Sequence, residues 1–344
     1  MSDTLPPLVD PVRLERWLND ALPGSGEISV ERHLAGHSNE TFFVTRGNER
    51  WVLRRPPRGA FLPSAHDVGR EYRVLTGLAR ANVRAPKPLL MCEEESVIGA
   101  QFYLMERVDG IVIRDQLPQG FDPNDHRAIG GELVDALVEL HDVDPIACGL
   151  DALGKGSGYL ERQLRRWYGQ LELTLPHTRP VPVLHEVMKW LQESVPESGA
   201  VTIVHGDYKL DNAMFTVDTP TRLVAILDWE MCTLGDPLAD LGWMVTCWRE
   251  AGDDPNDWFA RISRVTEASG FASRNDLIER YASHTGRDVT SLDWYRVLAI
   301  FKLAILLEGS FARHLAGLTD DPFFADLDGG VPALAARALE IARS

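Results

Sequence analysis

The chain has 344 residues, of which 44% are hydrophobic, so it can bury a large core in one bilobal unit or in two domains. Its formal net charge of −16 argues against non-specific nucleic-acid binding and against attraction to an anionic membrane surface. The four cysteines have no metal-type spacing, and the first residues lack the basic and apolar regions of a signal peptide. We therefore expect a cytoplasmic protein with free thiols that binds neither nucleic acid nor membranes.

The first third of the chain contains both helix-like and strand-like patterns. Apolar residues recur at helical spacing over residues 10–22 and 66–79, which predicts two helices. Runs of β-branched and aromatic residues predict strands at 28–34, 41–45 and 51–55, and one that starts at Gln101 and enters a linker.

The rest of the chain is predicted to be mostly helical. Residues 125–141 are amphipathic and predict a central helix, with His141 as a capping residue at its end. The longest apolar stretch, residues 297–307, contains Lys302 and predicts a buried helix rather than a membrane span. The pattern is helical from Trp258 onward.

A helix predicted within residues 156–173 combines aromatic and basic side chains. Its arginines fall at i, i+3 and i+4 and so share one helix face, with two aromatic residues nearby. This face could bind an anionic acceptor, although a solvated basic face explains the pattern equally well. The residues concerned are Tyr159, Arg162, Arg165, Arg166 and Trp167.

The most informative stretch runs from Val201 to Glu230. It predicts three short strands, at 201–204, 213–217 and 222–227, with polar loops between them. If the last two strands form a hairpin, Asn212 and Asp228 lie side by side at its open end, onto which the loop carrying Asp207 also opens.

Two carboxylates and an amide at one place suit phosphoryl transfer. Mg²⁺ takes oxygen ligands from carboxylates and amides, and the acceptor hydroxyl needs a base. The spacing of Asp207 and Asn212 matches a kinase catalytic loop, which makes Asp207 the base and Asn212 and Asp228 the metal ligands. The alternative is that all three are turn residues whose side chains cap the local backbone.

These motifs resemble a known superfamily. His205-Gly-Asp-Tyr-Lys-Leu-Asp-Asn212 and Ile226-Leu-Asp-Trp-Glu230, with Gly235-Asp-Pro-Leu-Ala-Asp-Leu241, resemble the aminoglycoside phosphotransferases and choline kinases. The resemblance is closest to the branch related to kinase-like domains fused to acyl-CoA dehydrogenases. It implies an α+β, bilobal protein-kinase-like fold, with a small antiparallel five-stranded N-lobe at residues 1–105 and a mostly helical C-lobe at 106–344.

The resemblance implies how a nucleotide would be bound. The loop before the second strand would cover the phosphates with backbone N–H groups and with Ser38 and Asn39 as donors, although any hairpin also needs small polar residues. The linker from Glu106 to Val108 would bind the purine through backbone groups. Met105 would line the purine pocket or simply fill the core.

Arg54 stands where kinases place a lysine that holds the phosphates. Strand alternation puts Arg54 on the face of Val52 and Arg55 on the opposite face, so we expect Arg54 to bind phosphate and Glu71 to orient it. Two solvated arginines on an edge strand are the competing interpretation.

Three further acidic residues, Glu230, Asp236 and Asp240, lie within the stretches 226–230 and 235–241. Asp240 is expected to support the catalytic loop by accepting backbone N–H bonds, and Asp236 to cap the helix that begins there. Glu230 could reach a metal or a substrate.

The sequence thus predicts a Mg²⁺-dependent kinase that transfers the γ-phosphoryl of ATP or GTP to a hydroxyl of a small molecule. The resemblance favours a hydroxyacyl-CoA, with an aminoglycoside acceptor as the alternative and with choline- or homoserine-type acceptors open. A non-catalytic module that binds a nucleotide or metabolite, a pseudokinase, is the other alternative, because Arg54 replaces the usual lysine. Nucleotide preference and oligomeric state stay open.

Overall fold

The structure is a computed structural model that describes residues 7–33, 39–58, 67–117, 121, 125–255, 257–261, 264–318 and 322–344. Within these ranges the helices are α1 Pro11–Ala21, α2 Val68–Arg80, α3 Asp125–His141, α4 Tyr159–Thr174, α5 Pro182–Glu193, α6 Leu238–Cys247, α7 Arg274–Thr285, α8 Leu292–Leu315 and α9 Leu327–Arg343. The strands are β1 Ile28–His33, β2 Glu40–Arg46, β3 Glu49–Arg55, β4 Pro88–Cys92, β5 Phe102–Glu106, β6 Ile111–Val112, β7 Thr202–Val204, β8 Ala213–Phe215, β9 Leu223–Ile226 and β10 Thr233–Gly235.

The chain divides into two compact units. The first contains residues 1–109, 148–150 and 225–230, and the second contains the remainder. Strand β9 starts in the second unit and ends in the first, where the Ile226 N–H donates to the Arg84 carbonyl at 2.7 Å. Asp228 therefore belongs to the same unit as the N-terminal sheet.

The first unit is built on an antiparallel sheet of strand order β1-β2-β3-β5-β4. Because side chains alternate along a strand, one face collects apolar residues, including Phe42, Leu53 and Leu104, which pack with Leu14 and Leu18 of α1. The opposite face carries Arg54 of β3 and Tyr103 of β5, which are directly opposite each other in the sheet.

Strand β3 lies inside the sheet, between β2 and β5, and not at its edge. The competing interpretation of two solvated arginines is therefore wrong. Arg55 is buried among apolar residues and donates to the carbonyls of Leu8, Pro56 and Ile98. Arg54 points to the other face, as strand alternation predicted.

The fifth strand, β4, was expected without a location. It begins at Pro88, lies at the sheet edge and has an irregular register near Leu90. A strand of this kind tolerates proline and need not show a regular alternation, so the sequence did not locate it. Helix α2 begins at Val68 with Asp67 as its N-cap, and the first predicted residue, His66, lies outside the described residues.

The second unit is mostly helical and surrounds α8. Helices α4, α5, α6 and α9 pack against α8, which is buried along much of its length. Two small sheets, of strand order β6-β8-β9 and β10-β7, carry the loops of the motif region. Strand β10 was missed because its three residues, Thr233 to Gly235, form no alternating pattern. None of the described helices is long and apolar enough to cross a membrane.

Gly77 in α2 offers a test of how this helix, which carries Glu71, is seated. A Cβ at position 77 would lie 2.5 Å from Leu150 Cγ, so Gly77→Ala should destabilise the protein by about 1–3 kcal/mol. Gly169→Ala in α4, where a Cβ meets nothing within 4 Å, should instead stabilise by about 0.5–1 kcal/mol. Thermal unfolding checks both. Leu150 is buried, so Leu150→Ala alone should cost about 2–5 kcal/mol. The double variant should cost less than the sum of the two single variants, and additive costs would locate the strain elsewhere.

Candidate active site

A buried ion pair joins the sheet and α2 of the first unit. Arg54 Nη2 lies 3.2 Å from Glu71 Oε1, and the Glu71 side chain is only 3% exposed. Burial raises the pKa of Glu71, and the positive charge of Arg54 opposes this shift. Burial would lower the pKa of Arg54, but Glu71 and Asp228 outweigh it and raise that pKa, so Arg54 stays charged. The two residues thus stabilise each other's charged form, as the predicted orienting role of Glu71 requires.

Asp228 completes this group of charges. Its Oδ1 atom lies 3.8 Å from Arg54 Nη2, and its backbone has φ of +66°, a left-handed conformation that aspartate tolerates better than most residues. Asn39 Nδ2 donates to Glu71 Oε2 at 3.4 Å. A side chain held on a left-handed turn beside a buried arginine indicates a functional constraint.

Several polar atoms in this group lack a hydrogen-bond partner within the described part of the chain. They are Asn39 Oδ1, Arg54 Nε and Asp228 Oδ1. Buried polar groups are nearly always satisfied in native proteins, so three such atoms in one cluster indicate room for a ligand. The oxygen atoms fit a hard cation, and the arginine fits a phosphate.

The second unit holds Asp207 in a fixed orientation. Trp243 Nε1 donates to Asp207 Oδ1 at 2.7 Å, and Asn212 Nδ2 donates to Asp207 Oδ2 at 2.9 Å. Asn212 Nδ2 also donates to the Asp207 carbonyl at 2.9 Å. Because both bonds of Asn212 use its NH₂ group, its Oδ1 atom is left to bind a cation.

Asp240 supports this loop, as predicted. Its carboxylate, 1% exposed, accepts the N–H of His205 at 2.6 Å and that of Gly206 at 2.8 Å. Burial would raise the pKa of Asp240, but the hydrogen bond from His141 and the N–H donors of the loop outweigh it and lower that pKa. Asp236 also accepts the first helical N–H, that of Leu238, at 3.0 Å.

The prediction that His141 caps α3 is wrong. Its ring is buried, with Nε2 3.3 Å from Asp240 Oδ2 and Nδ1 2.8 Å from the Tyr281 hydroxyl. Burial lowers the pKa of His141 despite Asp240, so the ring is neutral, donates from Nε2 and accepts at Nδ1. Residues 99 and 140 positions away set this role, which no local pattern could reveal.

Lys209 was not singled out from the sequence. Its Nζ lies 3.5 Å from Asp207 Oδ2 and 3.4 Å from Asp211 Oδ2. Burial would lower the pKa of Lys209, but the two carboxylates outweigh it and raise that pKa. The signal that could have found it is its position two residues after Asp207, inside the motif.

The basic helix α4 is less uniform than the sequence suggested. Tyr159 is buried against Gly235, and Arg162 donates to the carbonyls of Lys155 and Ser157. Both residues therefore have structural contacts of their own. Arg165 and Arg166 are exposed, and the Arg166 guanidinium lies 5.3 Å from the centre of the Trp167 ring.

The residues expected to bind the nucleotide differ in their burial and in the hydrogen bonds that they already make. Ser38 lies outside the described residues. Met105 is buried at the end of β5, whereas Val108 is partly exposed in the following segment. The Glu106 N–H already donates to the Lys87 carbonyl at 2.9 Å, so it cannot also serve a purine without breaking that bond. Glu230 is partly exposed and its carbonyl accepts from Arg70 at 3.0 Å.

The structure thus brings together Asn39, Arg54, Glu71 and Asp228 in the first unit, and Asp207 with Asn212 in the second. The convergence of these two sets stays a prediction from the sequence. Known proteins with a similar sequence indicate which family this chain belongs to. Residues 29–273 match the APH family model, described as "Phosphotransferase enzyme family". The chain belongs to this phosphotransferase family.

Curated relatives of this chain are longer proteins. Acyl-CoA dehydrogenase family member 11 of Rattus norvegicus is 35% identical over 340 residues, and that of Homo sapiens is 32% identical over 345 residues. The alignments cover 96% and 97% of this chain but 43% of each relative. The chain therefore spans less than half the length of these proteins.

Solved structures agree with the family and with the predicted α+β fold class. A Ralstonia eutropha protein, provisionally named an aminoglycoside phosphotransferase, is 34% identical with a TM-score of 0.83, and the match covers 97% of this chain and 98% of that one. A choline kinase of Cryptosporidium parvum, 14% identical with a TM-score of 0.62, covers 96% and 100% and shares the fold. The resemblance stated from the motifs is confirmed.

Removing one partner of the Arg54–Glu71 pair should destabilise the protein more than removing both. Arg54→Met leaves a buried carboxylate without its partner and should destabilise the phosphotransferase by about 3–5 kcal/mol. Replacing both residues with methionine should cost much less. Arg50→Met, which removes an exposed pair with Asp109 from the same strand, should cost less than about 1 kcal/mol. Denaturant unfolding measures all three, and a double variant as unstable as Arg54→Met would contradict a buried pair.

His141 should make stability depend on pH. Its folded pKa is lowered, so as pH falls below about 6.5 the unfolded chain takes up a proton that the folded chain does not. Stability is therefore lost on acidification, by up to about 1.4 kcal/mol per pH unit. His141→Gln should be less stable than wild type at pH 7.5, yet lose less between pH 7 and 5.5. Melting temperatures test this, with exposed His177→Gln as the imidazole control; parallel pH curves for His141→Gln and wild type would refute it.

Proposed function

We propose that this chain is a Mg²⁺-dependent kinase that transfers the γ-phosphoryl group of ATP or GTP to a hydroxyl of a small metabolite. The observation that carries the proposal is the orientation of Asp207, whose two carboxylate oxygens accept from Trp243 and Asn212 on a loop held by buried Asp240. A carboxylate with both oxygens fixed, yet a quarter exposed, suits a base that must meet a hydroxyl at a defined angle.

In the proposed reaction, Asp207 accepts the proton of the acceptor hydroxyl. The hydroxyl oxygen forms a bond to the γ-phosphorus as the bond to the bridging oxygen of the nucleoside diphosphate breaks. Trp243 and Asn212 keep the carboxylate from turning away from the hydroxyl. Little covalent chemistry is required of the chain, so positioning and charge neutralisation carry the rate.

The nucleotide would be held by residues of the first unit. Arg54 would bind the phosphates and Glu71 would orient it, with Asn39 and Ser38 near the phosphates and the Glu106–Val108 segment beside the base. Mg²⁺, when bound, neutralises phosphate charge. Its protein ligands would be Asp228 and Asn212. Asp228 Oδ1 accepts no hydrogen bond from the described residues, and the two hydrogen bonds of the Asn212 side chain use Nδ2 and leave Oδ1 available.

The replacement of lysine by arginine at position 54 does not by itself favour a non-catalytic module. The guanidinium contacts Glu71 and lies close to Asp228, and an arginine can bind phosphate through two nitrogens at once. The buried polar atoms without partners support a site that is completed by a ligand.

For the acceptor, the names of the relatives support a hydroxyacyl-CoA, because several are acyl-CoA dehydrogenase family members. An aminoglycoside is the second candidate, supported by the provisional name of the Ralstonia eutropha protein, which this chain matches over nearly its whole length. The two acceptors differ in charge, so one assay can separate them.

The test follows radiolabelled γ-phosphate from ATP or GTP, with Mg²⁺, onto hydroxyacyl-CoAs, kanamycin, choline and homoserine. Asp207→Asn should lower kcat by about 10²–10⁴-fold while the dissociation constant of the nucleotide stays within twofold. Asp218→Asn, an exposed carboxylate in the β8–β9 turn, is the matched control and should keep full activity.

The outcomes separate the alternatives. Transfer to one acceptor that Asp207→Asn abolishes supports the kinase and names its substrate. Tight Mg²⁺-nucleotide binding without transfer to any acceptor would favour the binding module. A chain that binds neither ATP nor GTP would overturn the proposal.

A further inference from the structure

Two cations share one tryptophan in the second unit. The Trp167 ring of α4 is 4% exposed, with the Arg166 guanidinium 5.3 Å and the Lys302 ammonium of α8 5.7 Å from its centre. Both distances lie in the range of cation–π contacts, which favour a desolvated cation. The sequence placed Arg166 on a basic face but gave no role to Lys302 beyond the core.

Among the described residues, neither cation has a carboxylate partner. Within the described ranges, no carboxylate oxygen lies within 4 Å of a nitrogen of Arg166 or Lys302, whereas Lys209, Arg249 and Arg274 all have such partners. Burial lowers the pKa of Lys302 and Arg166 acts in the same direction, while Asp240 and Asp207 oppose the shift. Two like charges close to one ring repel each other, and an anion bound near both would relieve that repulsion.

The pair lies on the catalytic side of this unit. Asp240 and Asp207 both act to raise the pKa of Lys302, against the effect of burial. Helix α8, which carries Lys302, packs against α4 and against α6, and α6 supplies both Asp240 and the Trp243 that donates to Asp207. An anion held by Arg166 and Lys302 would therefore keep the rest of its molecule near the proposed base.

We propose that Arg166 and Lys302 form an acceptor subsite for an anionic group, with Trp167 as its wall. This inference rests on the proposed function and sharpens it, because the acceptor is then a hydroxylated anion and not a cation such as an aminoglycoside or choline. The anionic group is a carboxylate or a phosphate, since both accept hydrogen bonds from an arginine and a lysine. Arg165 and the backbone-bonded Arg162 are not required for it.

The test is titration calorimetry on the full chain with small probes of matched shape. 4-Hydroxybutyrate carries a hydroxyl and a carboxylate, and 1,4-butanediol is its neutral counterpart. Glycerol 3-phosphate and glycerol form the same comparison for phosphate, and kanamycin is the cationic probe. We expect at least one anion to bind at least tenfold more tightly than its neutral counterpart, and the anion that does so identifies the preferred group.

Variants connect binding to the two residues. Lys302→Met, which keeps the contact with Trp167, and Arg166→Met should each weaken anion binding at least fivefold, and Lys302→Arg should restore most of it. Lys189→Met removes an exposed lysine of α5 from the same unit and serves as the charge control. If Lys302→Met fails to fold, exposed Arg166→Met decides alone.

MgATP binding is measured on the same proteins, which separates the two proposals. Anion binding that the variants lose supports the subsite, whether or not MgATP binds, and failure of MgATP to bind counts against the proposed function alone. The subsite is overturned if both anions bind no better than their neutral counterparts. It is equally overturned if the two methionine variants behave like Lys189→Met, or if kanamycin binds more tightly than either anion.

Discussion

The loop that carries Asp207 depends on one buried carboxylate, that of Asp240. The loop exposes backbone N–H groups where the chain is irregular, and two of them, from His205 and Gly206, donate to Asp240. A charge buried at this depth must be compensated by hydrogen bonds, and the neutral ring of His141 contributes one to Asp240 Oδ2. Removing Asp240 or His141 would leave a buried polar group without a partner, so the position of Asp207, the proposed base, depends on this buried group of hydrogen bonds.

In the first unit, by contrast, several buried polar atoms have no hydrogen-bond partner among the described residues. The apolar face of its sheet is closed by α1, whereas the polar face holds Arg54, Glu71 and Asp228 with buried atoms that have no partner in the described chain. Such atoms cost stability in the free protein. A site that binds phosphate and a divalent cation recovers that cost on binding, which is why unsatisfied polar groups are informative when they cluster. The left-handed backbone of Asp228 belongs to the same cluster.

Net charge is a poor guide to the acceptor. The chain carries a formal charge of −16, which by itself is compatible with a cationic acceptor. Arg166 and Lys302 nevertheless lie in the same unit as Asp207 and have no carboxylate oxygen within 4 Å among the described residues, so the total charge does not describe the charges at the proposed subsite. Recognition is decided by the charges within a Debye length of the bound group, about 8–10 Å, and not by the total.

The sequence by itself determined what depends on neighbours in the chain. Asp207 and Asn212 are five residues apart, so one motif placed both in the same loop, and strand alternation separated Arg54 from Arg55 because it has a fixed period of two. Only the tertiary structure decided the contacts of His141 and Lys302, the burial of Tyr159 and the edge strand that begins at Pro88. Their contacts join residues far apart in the chain, and such contacts leave no period or spacing in the sequence.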